Sequence, residues 1–156
     1  SRLWWLLRWL GHDAVAVLDG GYAAWLAAGG ATASGPESAP RVRFTPRIDG
    51  TRVASLQEVE ARLGDQALRL VDARAGERYR GEVEPLDRVA GHIPGAANHF
   101  FQDNLQQDGR FRPAAELRAA FERLLGSASP TQVVSYCGSG VTGCHNLLAM
   151  EHAGLH

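Results

Sequence analysis

The fold is decided by the segment VVSYCGSGVTGCH, residues 133–145, in which an apolar run leads into a glycine-rich turn. The run is rich in β-branched residues, so it predicts a strand over 132–136. The stretch after the turn predicts a helix over 141–153. Cys137 lies between the two, at the carboxyl end of the strand. A strand, a tight turn and a helix in this order are typical of an α/β fold.

Strands and helices alternate along the rest of the chain. Helices are predicted over 2–10, over 22–28, after Ser55 and from Pro113, and further strands over 14–18 and 68–71. Ser55 and Glu58 have the spacing of a capping box. Residues 29–40, GGATASGPESAP, have the composition of a linker. This alternation predicts a parallel sheet with helices on both faces.

Length and composition limit the classes of protein that the chain represents. The 156 residues suffice for one domain but not for two full ones, and a hydrophobic content of 45% supports a packed core. A net charge of -1 gives no reason to expect a nucleic-acid or membrane-surface partner. No apolar stretch approaches the roughly 20 residues that span a bilayer. Two cysteines fit reduced thiols in a cytoplasmic protein better than a disulfide framework.

The basic residues are all arginine, sixteen of them, with no lysine. The chain therefore contains neither a Walker A loop nor a lysine able to form a Schiff base. Cys137 and Cys144 are separated by six residues, which is not a zinc-ligand spacing, so no metal or cofactor is predicted. An anionic ligand would be held by arginine, by backbone N–H groups or by helix ends.

Two motifs overlap in the glycine-rich turn. Gly138, Gly140 and Gly143 match the dinucleotide-binding pattern G-x-G-x-x-G. That pattern normally follows the first strand of its fold, whereas here it follows the last predicted strand. The alternative is a cysteine nucleophile, because glycines allow successive N–H groups to converge on Cys137. Those N–H groups and the positive end of the following helix would stabilise a thiolate, so we favour this interpretation.

A third interpretation is the phosphatase loop C-x5-R, which has the same geometry. Its arginine would fall at position 143, where this chain has glycine. The turn then lacks the cation that holds phosphate oxygens, and phosphoryl transfer is disfavoured.

The chain also contains an internal similarity. WWLLRWLGH, residues 4–12, is similar to NLLAMEHAGLH, residues 146–156, and only the first copy continues into AVAVLDGGYAAW. This pattern is typical of two copies of one unit, the first lacking its beginning and the second its end. We therefore expect a fragment of a longer tandem protein.

Four motifs in order resemble the tandem-domain rhodanese family of sulfurtransferases. They are RLWWLLRWLGHDAVAVLDGGYAAW (2–25), VDARAGERYRGEVEP (71–85), GHIPGAAN (91–98) and CGSGVTGCHNLLAM (137–150). The resemblance implies a rhodanese-like α/β fold for the catalytic domain. It also implies that 1–28 is the end of an inactive N-terminal domain, 29–45 a linker, and 46–156 a catalytic domain without its final strand and helix. The rest of the N-terminal domain would be a missing partner.

The resemblance implies an enzyme that moves sulfur through a persulfide on Cys137. The donor would be a small anion, thiosulfate or 3-mercaptopyruvate, and the acceptor a thiol or cyanide. The turn lacks a cation beside Ser139, which favours mercaptopyruvate over the dianion. Arg78 matches the family's arginine for the substrate carboxylate, and Arg88 is a second candidate. The remaining substrate-binding residues would be those of the turn, namely Gly138, Ser139, Gly140, Val141 and Thr142.

Other residues are assigned supporting roles. Asp72 and Arg74 are expected to form a structural pair under the loop, and His92 to belong to a turn that feeds a short strand. Cys144 is expected in the core, with a resolving thiol as the alternative, and His145 on the helix surface. A second functional hypothesis remains, a sulfur-carrier or regulatory module that binds a partner protein and turns over little donor.

Overall fold

The computed structural model describes residues 1–156 and contains six α-helices and three strands. The helices are α1 (Arg2–Trp9), α2 (Gly21–Ala27), α3 (Leu56–Ala61), α4 (Gly76–Tyr79), α5 (Ala114–Leu125) and α6 (Val141–His152). The strands are β1 (Arg69–Asp72), β2 (Ala97–Asn98) and β3 (Val133–Tyr136). The predicted helices and the predicted strands at 68–71 and 132–136 are confirmed, with ends that differ by one or two residues.

The three strands form one parallel sheet in the order β2-β1-β3. Asp72 at the end of β1 is in register with Asn98 of β2 and Tyr136 of β3. The central strand is the most buried of the three, with Leu70, Val71 and Asp72 all buried. The chain leaves β1 for one neighbour and later returns to its other side, and such a switch in direction opens a crevice at the carboxyl ends of the strands.

Helices α5 and α6 pack together and form the main hydrophobic core. Its buried members are Leu117, Phe121, Leu125, Ala149, Met150, Ala153 and Leu155. The members from α5 recur every four residues, so they lie on one face of that helix. This core fixes α6 in place, and α6 begins directly after the cysteine turn.

The ends of two helices are held by local hydrogen bonds. At the start of α3, Ser55 Oγ accepts from the Glu58 N–H at 3.2 Å and Glu58 Oε2 accepts from the Ser55 N–H at 2.7 Å, which confirms the capping box. At the end of α6, Arg118 Nη1 donates to the carbonyl oxygen of Ala153 at 3.2 Å. A cation at a helix C-terminus also meets the negative end of the helix dipole.

Helix α3 faces the strands across a groove of about 730 Å³, which Cys144 and Leu147 of α6 also line. Leu56 and Val59 of α3 line this groove together with Leu70 of β1 and Val134 of β3. The parallel sheet is accompanied by helices, as predicted, and α6 packs against β3, α1 and α5.

The predicted strand over 14–18 is wrong. These residues form neither helix nor strand, and Val17 and Leu18 are exposed. A strand needs a neighbour to accept its hydrogen bonds, and the sheet pairs only β1, β2 and β3. The apolar composition of the segment is real, but no sheet edge within the chain receives it.

The N-terminal helix packs against the last helix of the chain. Arg8 Nη1 of α1 lies 2.6 Å from Glu151 Oε1 of α6, and Trp4 is buried. Residues 29–45 contain no helix or strand and are exposed almost throughout. None of the helices is long and apolar enough to cross a membrane.

Candidate active site

A cleft of about 480 Å³ lies at the carboxyl ends of β1 and β3, where the strand order predicts a crevice. Its lining combines backbone from the glycine turn with arginine, carboxylate and aromatic side chains. The lining residues are Ala73, Arg74, Ala75, Arg78, Leu86, Asp87, Phe100, Phe101, Cys137, Gly138, Ser139, Val141 and Thr142. The structure thus brings Cys137 and Arg78, which are 59 positions apart by their numbers, into one cavity.

Cys137 is half-buried, and the turn after it wraps around its sulfur. Gly140 has a φ of 79°, a left-handed conformation that favours glycine, and its N–H donates to Cys137 Sγ at 3.1 Å. The turn is therefore a ring of backbone donors around a sulfur atom, the arrangement that the sequence predicts for a nucleophile.

The surroundings of Cys137 lower the pKa of its thiol to about 7. Burial alone would raise the pKa, because it disfavours the charged form. The hydroxyl of Thr142 and the N–H groups of Gly143, Ser139 and Thr142 outweigh this effect by stabilising the thiolate. At neutral pH about half of the protein would then carry the nucleophilic form.

Helix α6 starts directly behind this turn and has no side-chain cap. Its first N–H groups are consequently free to face the sulfur, and its dipole adds positive potential there. A Cβ on Gly143 would lie only 3.0 Å from the carbonyl oxygen of Ser135, so the glycine allows α6 to approach β3 closely. Position 143 thus has a packing role in addition to lacking the arginine of a phosphatase loop.

The turn is also held from outside the cleft. Arg2 Nη2 of α1 donates to the carbonyl oxygen of Ser139 at 2.5 Å. This bond ties the N-terminal helix to the backbone of the cysteine turn. Arg2 is not among the predicted site residues, since nothing in the local pattern links two residues 137 positions apart.

Arg78 forms the opposite side of the cleft and is engaged by two carboxylates. Its Nη2 lies 2.6 Å from Glu84 Oε1 and 3.0 Å from Asp87 Oδ2. The Glu84 side chain is only 5% exposed, and its hydrogen bonds with Arg78 and with the N–H groups of Asp87 and Leu86 lower the pKa of its carboxyl to about 2. The sequence did not indicate either partner.

Asp72 and Arg74 form a buried ion pair beneath this side of the cleft. Arg74 Nη2 lies 2.7 Å from Asp72 Oδ2, and both side chains are almost fully buried. Arg74 also donates to the carbonyl oxygen of Gly91 at 2.6 Å and to Glu84 at 3.2 Å. The pair ties the end of β1 to the loops above it.

Arg88 does not join the other predicted site residues. It is exposed and does not line the cleft, whereas its neighbour Asp87 does. The apolar lining includes Phe100 and Phe101, which the sequence analysis did not single out. The sequence could have indicated that these two residues line the cleft, because they follow β2 and the carboxyl ends of parallel strands meet at one edge of the sheet.

The remaining histidines and the second cysteine lie outside the cleft. His92 is in the turn before β2, where its Nδ1 is 2.7 Å from the carbonyl oxygen of Tyr79. Cys144 is buried and lines the groove beside α3, and burial raises the pKa of its thiol. No contact between Cys144 and the cleft supports a resolving thiol.

His145 is not on the helix surface, so that prediction is wrong. Its ring stacks on Phe111 with the centroids 4.9 Å apart, and burial lowers its pKa to about 4. Nδ1 lies 3.3 Å from Nδ2 of Asn104, a fully buried residue. The surface prediction failed because the loop containing Phe111 covers this side of α6.

Comparisons of this chain with a family model and with curated relatives agree on one family. The model of the rhodanese-like domain matches residues 55–156. The probable 3-mercaptopyruvate sulfurtransferase of Pseudomonas aeruginosa is 50% identical over 155 residues, covering 99% of this chain and 55% of the relative. The human 3-mercaptopyruvate sulfurtransferase is 37% identical, covering 92% and 49%. The thiosulfate sulfurtransferase of Cricetulus griseus is also 37% identical, covering 95% and 50%.

The fold agrees with these relatives. The crystal structure of the 3-mercaptopyruvate sulfotransferase SseA of Escherichia coli superposes with a TM-score of 0.81 at 30% identity, covering 99% of this chain and 57% of the other. This chain belongs to the rhodanese-like family. It spans about half the length of the curated relatives that it matches.

Proposed function

We propose that this chain is the catalytic part of a sulfurtransferase, in which Cys137 carries the transferred sulfur as a persulfide. The observation that carries this proposal is the Gly140 N–H donating to Cys137 Sγ at 3.1 Å, in a turn that lowers the thiol pKa to about 7. The names of its relatives, which include mercaptopyruvate and thiosulfate sulfurtransferases, agree with that chemistry.

The first half-reaction is an attack of the Cys137 thiolate on the donor sulfur. With 3-mercaptopyruvate, a new sulfur–sulfur bond forms and the carbon–sulfur bond breaks. The carbon takes the proton of the donor thiol and leaves as pyruvate. With thiosulfate, the sulfur–sulfur bond of the donor breaks and sulfite leaves. Either donor yields a persulfide anion on Cys137, which the backbone N–H groups of the turn stabilise.

The second half-reaction returns the cysteine to its starting state. A thiolate or cyanide acceptor attacks the outer sulfur, and the Cys137 thiolate is the leaving group. A thiol of lowered pKa is a good leaving group as well as a partly ionised nucleophile at neutral pH. One feature of the turn therefore assists both halves of the cycle.

The donor binds with its anionic group toward Arg78 and its sulfur toward Cys137. Both residues line the same cleft, and the guanidinium offers charge-assisted hydrogen bonds to a carboxylate. The turn itself contains no cation, and Ser139 stands beside Cys137 with a neutral hydroxyl. This composition favours 3-mercaptopyruvate over the thiosulfate dianion.

The proposed organisation of the chain follows the family resemblance. Residues 46–156 form the catalytic rhodanese-like domain, 29–45 a linker, and 1–28 the end of a preceding domain of the parent protein. The absence of helix and strand from 29–45 agrees with a linker. The contact between Arg2 and Ser139 gives the preceding segment a role at the cysteine turn.

A second candidate function is a sulfur-carrier module that receives sulfur from a partner protein. The observation in its favour is the occupation of Arg78 by Glu84 and Asp87, whose carboxylates already engage Nε and Nη2 of the guanidinium. Such a module would accept sulfur on Cys137 but turn over free mercaptopyruvate poorly.

Mass spectrometry after exposure to 3-mercaptopyruvate tests the proposal. We expect a mass gain of one sulfur atom on the peptide that contains Cys137, reversed by cyanide, together with stoichiometric pyruvate. The module hypothesis predicts no gain from free donor but a gain from a persulfidated partner. A gain on the Cys144 peptide alone would refute the assignment of the nucleophile.

A further inference from the structure

Asp87 is a third carboxylate on the arginine side of the cleft, and the ion pairs beneath it do not require it. Asp72 pairs with Arg74 at 2.7 Å, and Glu84 pairs with Arg78 at 2.6 Å and with Arg74 at 3.2 Å. These two acidic and two basic groups already balance. The addition of Asp87, 3.0 Å from Arg78 and 3.6 Å from Arg74, leaves one net negative charge at this wall.

The Asp87 side chain is also the part of this network that can move. Its side chain is 42% exposed, whereas that of Glu84 is 5% exposed. An ion pair with an exposed carboxylate is weak and is screened by salt. The neighbouring side chains Leu86 and Val89 are 78% and 80% exposed, so little packing opposes a shift of this loop tip.

The backbone of the loop is anchored independently of the Asp87 carboxylate. The N–H groups of Leu86 and Asp87 donate to Glu84 Oε1 at 3.0 and 2.9 Å. The side chain of Asp87 can therefore leave Arg78 without breaking the turn that carries it. The carboxylate also reaches the cysteine turn, because a Cβ on Gly138 would lie 3.7 Å from its Oδ2.

We propose that Asp87 acts as a displaceable counter-ion, whose carboxylate occupies in the free protein the position on Arg78 that the carboxylate of an anionic sulfur donor takes. The proposal rests on the proposed function for its account of the donor. A carboxylate donor exchanges one negative group for another at Arg78, and the Asp87 side chain turns to solvent. Asp87 is thus a specificity determinant, since it lowers the reactivity of Cys137 toward anions relative to neutral reagents of similar size.

Alkylation with two reagents of similar size measures this selectivity without any sulfur transfer. Iodoacetate carries a carboxylate and iodoacetamide is neutral, so the ratio of their second-order rate constants at Cys137 cancels differences in thiolate fraction. Modification is mapped to Cys137 by mass spectrometry, because the chain also contains the buried Cys144. The full chain is used in the wild-type and variant forms.

We expect Asp87→Asn to raise the iodoacetate to iodoacetamide ratio by roughly threefold to tenfold at low ionic strength. The increase should largely disappear in about 1 M salt, where the Debye length is about 3 Å. Asp87→Glu, which keeps the charge, should stay close to the wild type. Glu82→Gln is the matched control, because Glu82 belongs to the same loop region but pairs with Arg80 outside the cleft lining.

An unchanged ratio in Asp87→Asn would overturn the proposal, as would an equal rise in Glu82→Gln. Persulfide formation from 3-mercaptopyruvate is measured on the same proteins. If the wild type forms no persulfide, the proposed function fails, while the alkylation ratios still decide the role of Asp87. If the proposed function and the role of Asp87 both hold, Asp87→Asn should lower the KM for 3-mercaptopyruvate and leave kcat within about twofold of the wild type.

Discussion

The two sides of the cleft stabilise negative charge by different means. On the Cys137 side the donors are the hydroxyl of Thr142 and the backbone N–H groups of Ser139, Gly140, Thr142 and Gly143, and the turn itself contains no cation. On the Arg78 side they are guanidinium groups, and carboxylates already occupy them. Backbone donors are fixed by the path of the chain, whereas side-chain ion pairs can exchange partners. The proposed function thus gives activation of the sulfur to the first side and selection of the donor to the second.

Cys137→Ser should give the largest effect of these substitutions, because it removes the proposed nucleophile from the Cys137 side of the cleft. Sulfur transfer should fall by at least about a thousandfold, because a hydroxyl is not ionised at neutral pH and cannot carry the sulfur. The free energy of unfolding should change by less than about 1 kcal/mol, since the turn is held mainly by backbone contacts. Turnover is measured as pyruvate release and stability by denaturant titration. Activity within tenfold of the wild type would contradict the assignment.

Arg78→Ala tests whether the Arg78 side of the cleft selects the donor. We expect kcat/KM for 3-mercaptopyruvate to fall by about 1.5–3 kcal/mol in transition-state free energy, the cost of a lost hydrogen bond to a charged group. The change should lie mainly in KM, because a carboxylate anchor contributes similar binding to ground state and transition state. Arg80→Ala is the matched control, since exposed Arg80 pairs with Glu82 outside the cleft lining. Equal kinetic constants in the two variants would show that Arg78 does not bind the donor and has only a structural role.

Gly140→Ala should have the smallest effect on activity of these substitutions. Compared with Gly109→Ala, it distinguishes loss of the N–H contact to sulfur from a general loss of stability. Gly140 and Gly109 both have φ near 80° with open space around the Cα atom. Alanine at either position should cost about 1–2 kcal/mol of unfolding free energy, because the left-handed conformation is unfavourable with a Cβ. Only Gly140→Ala should slow alkylation of Cys137, since its N–H contacts the sulfur. An equal alkylation rate in the two variants would show that this contact does not activate the thiol.

The sequence predicted the features that depend on local pattern. Strand β3, the cysteine turn and helix α6 follow from one continuous segment, and the capping box at Ser55 follows from a spacing of three residues. The failures concern contacts between distant segments. A strand over 14–18 requires a partner edge, which the apolar pattern cannot reveal.

The sequence pattern also did not predict which side chains pair with one another around the cleft. Glu84 and Asp87 engage Arg78, and Arg2 holds the Ser139 carbonyl from the other end of the chain. Charge pairing of this kind depends on loop conformation and on the register of the folded elements. For the same reason, the partial burial of His145 against Phe111 did not follow from its position on helix α6.

The pH dependence of Cys137 alkylation by neutral iodoacetamide tests the central claim, that the backbone of the turn activates this thiol. The thiolate is the reactive form, so the rate rises with pH and reaches half its maximum at the thiol pKa. We predict a midpoint near pH 7 in the wild type and a higher midpoint in Thr142→Val, which loses one stabilising hydroxyl. A wild-type midpoint near the ordinary thiol value of about 8.5 would contradict the account.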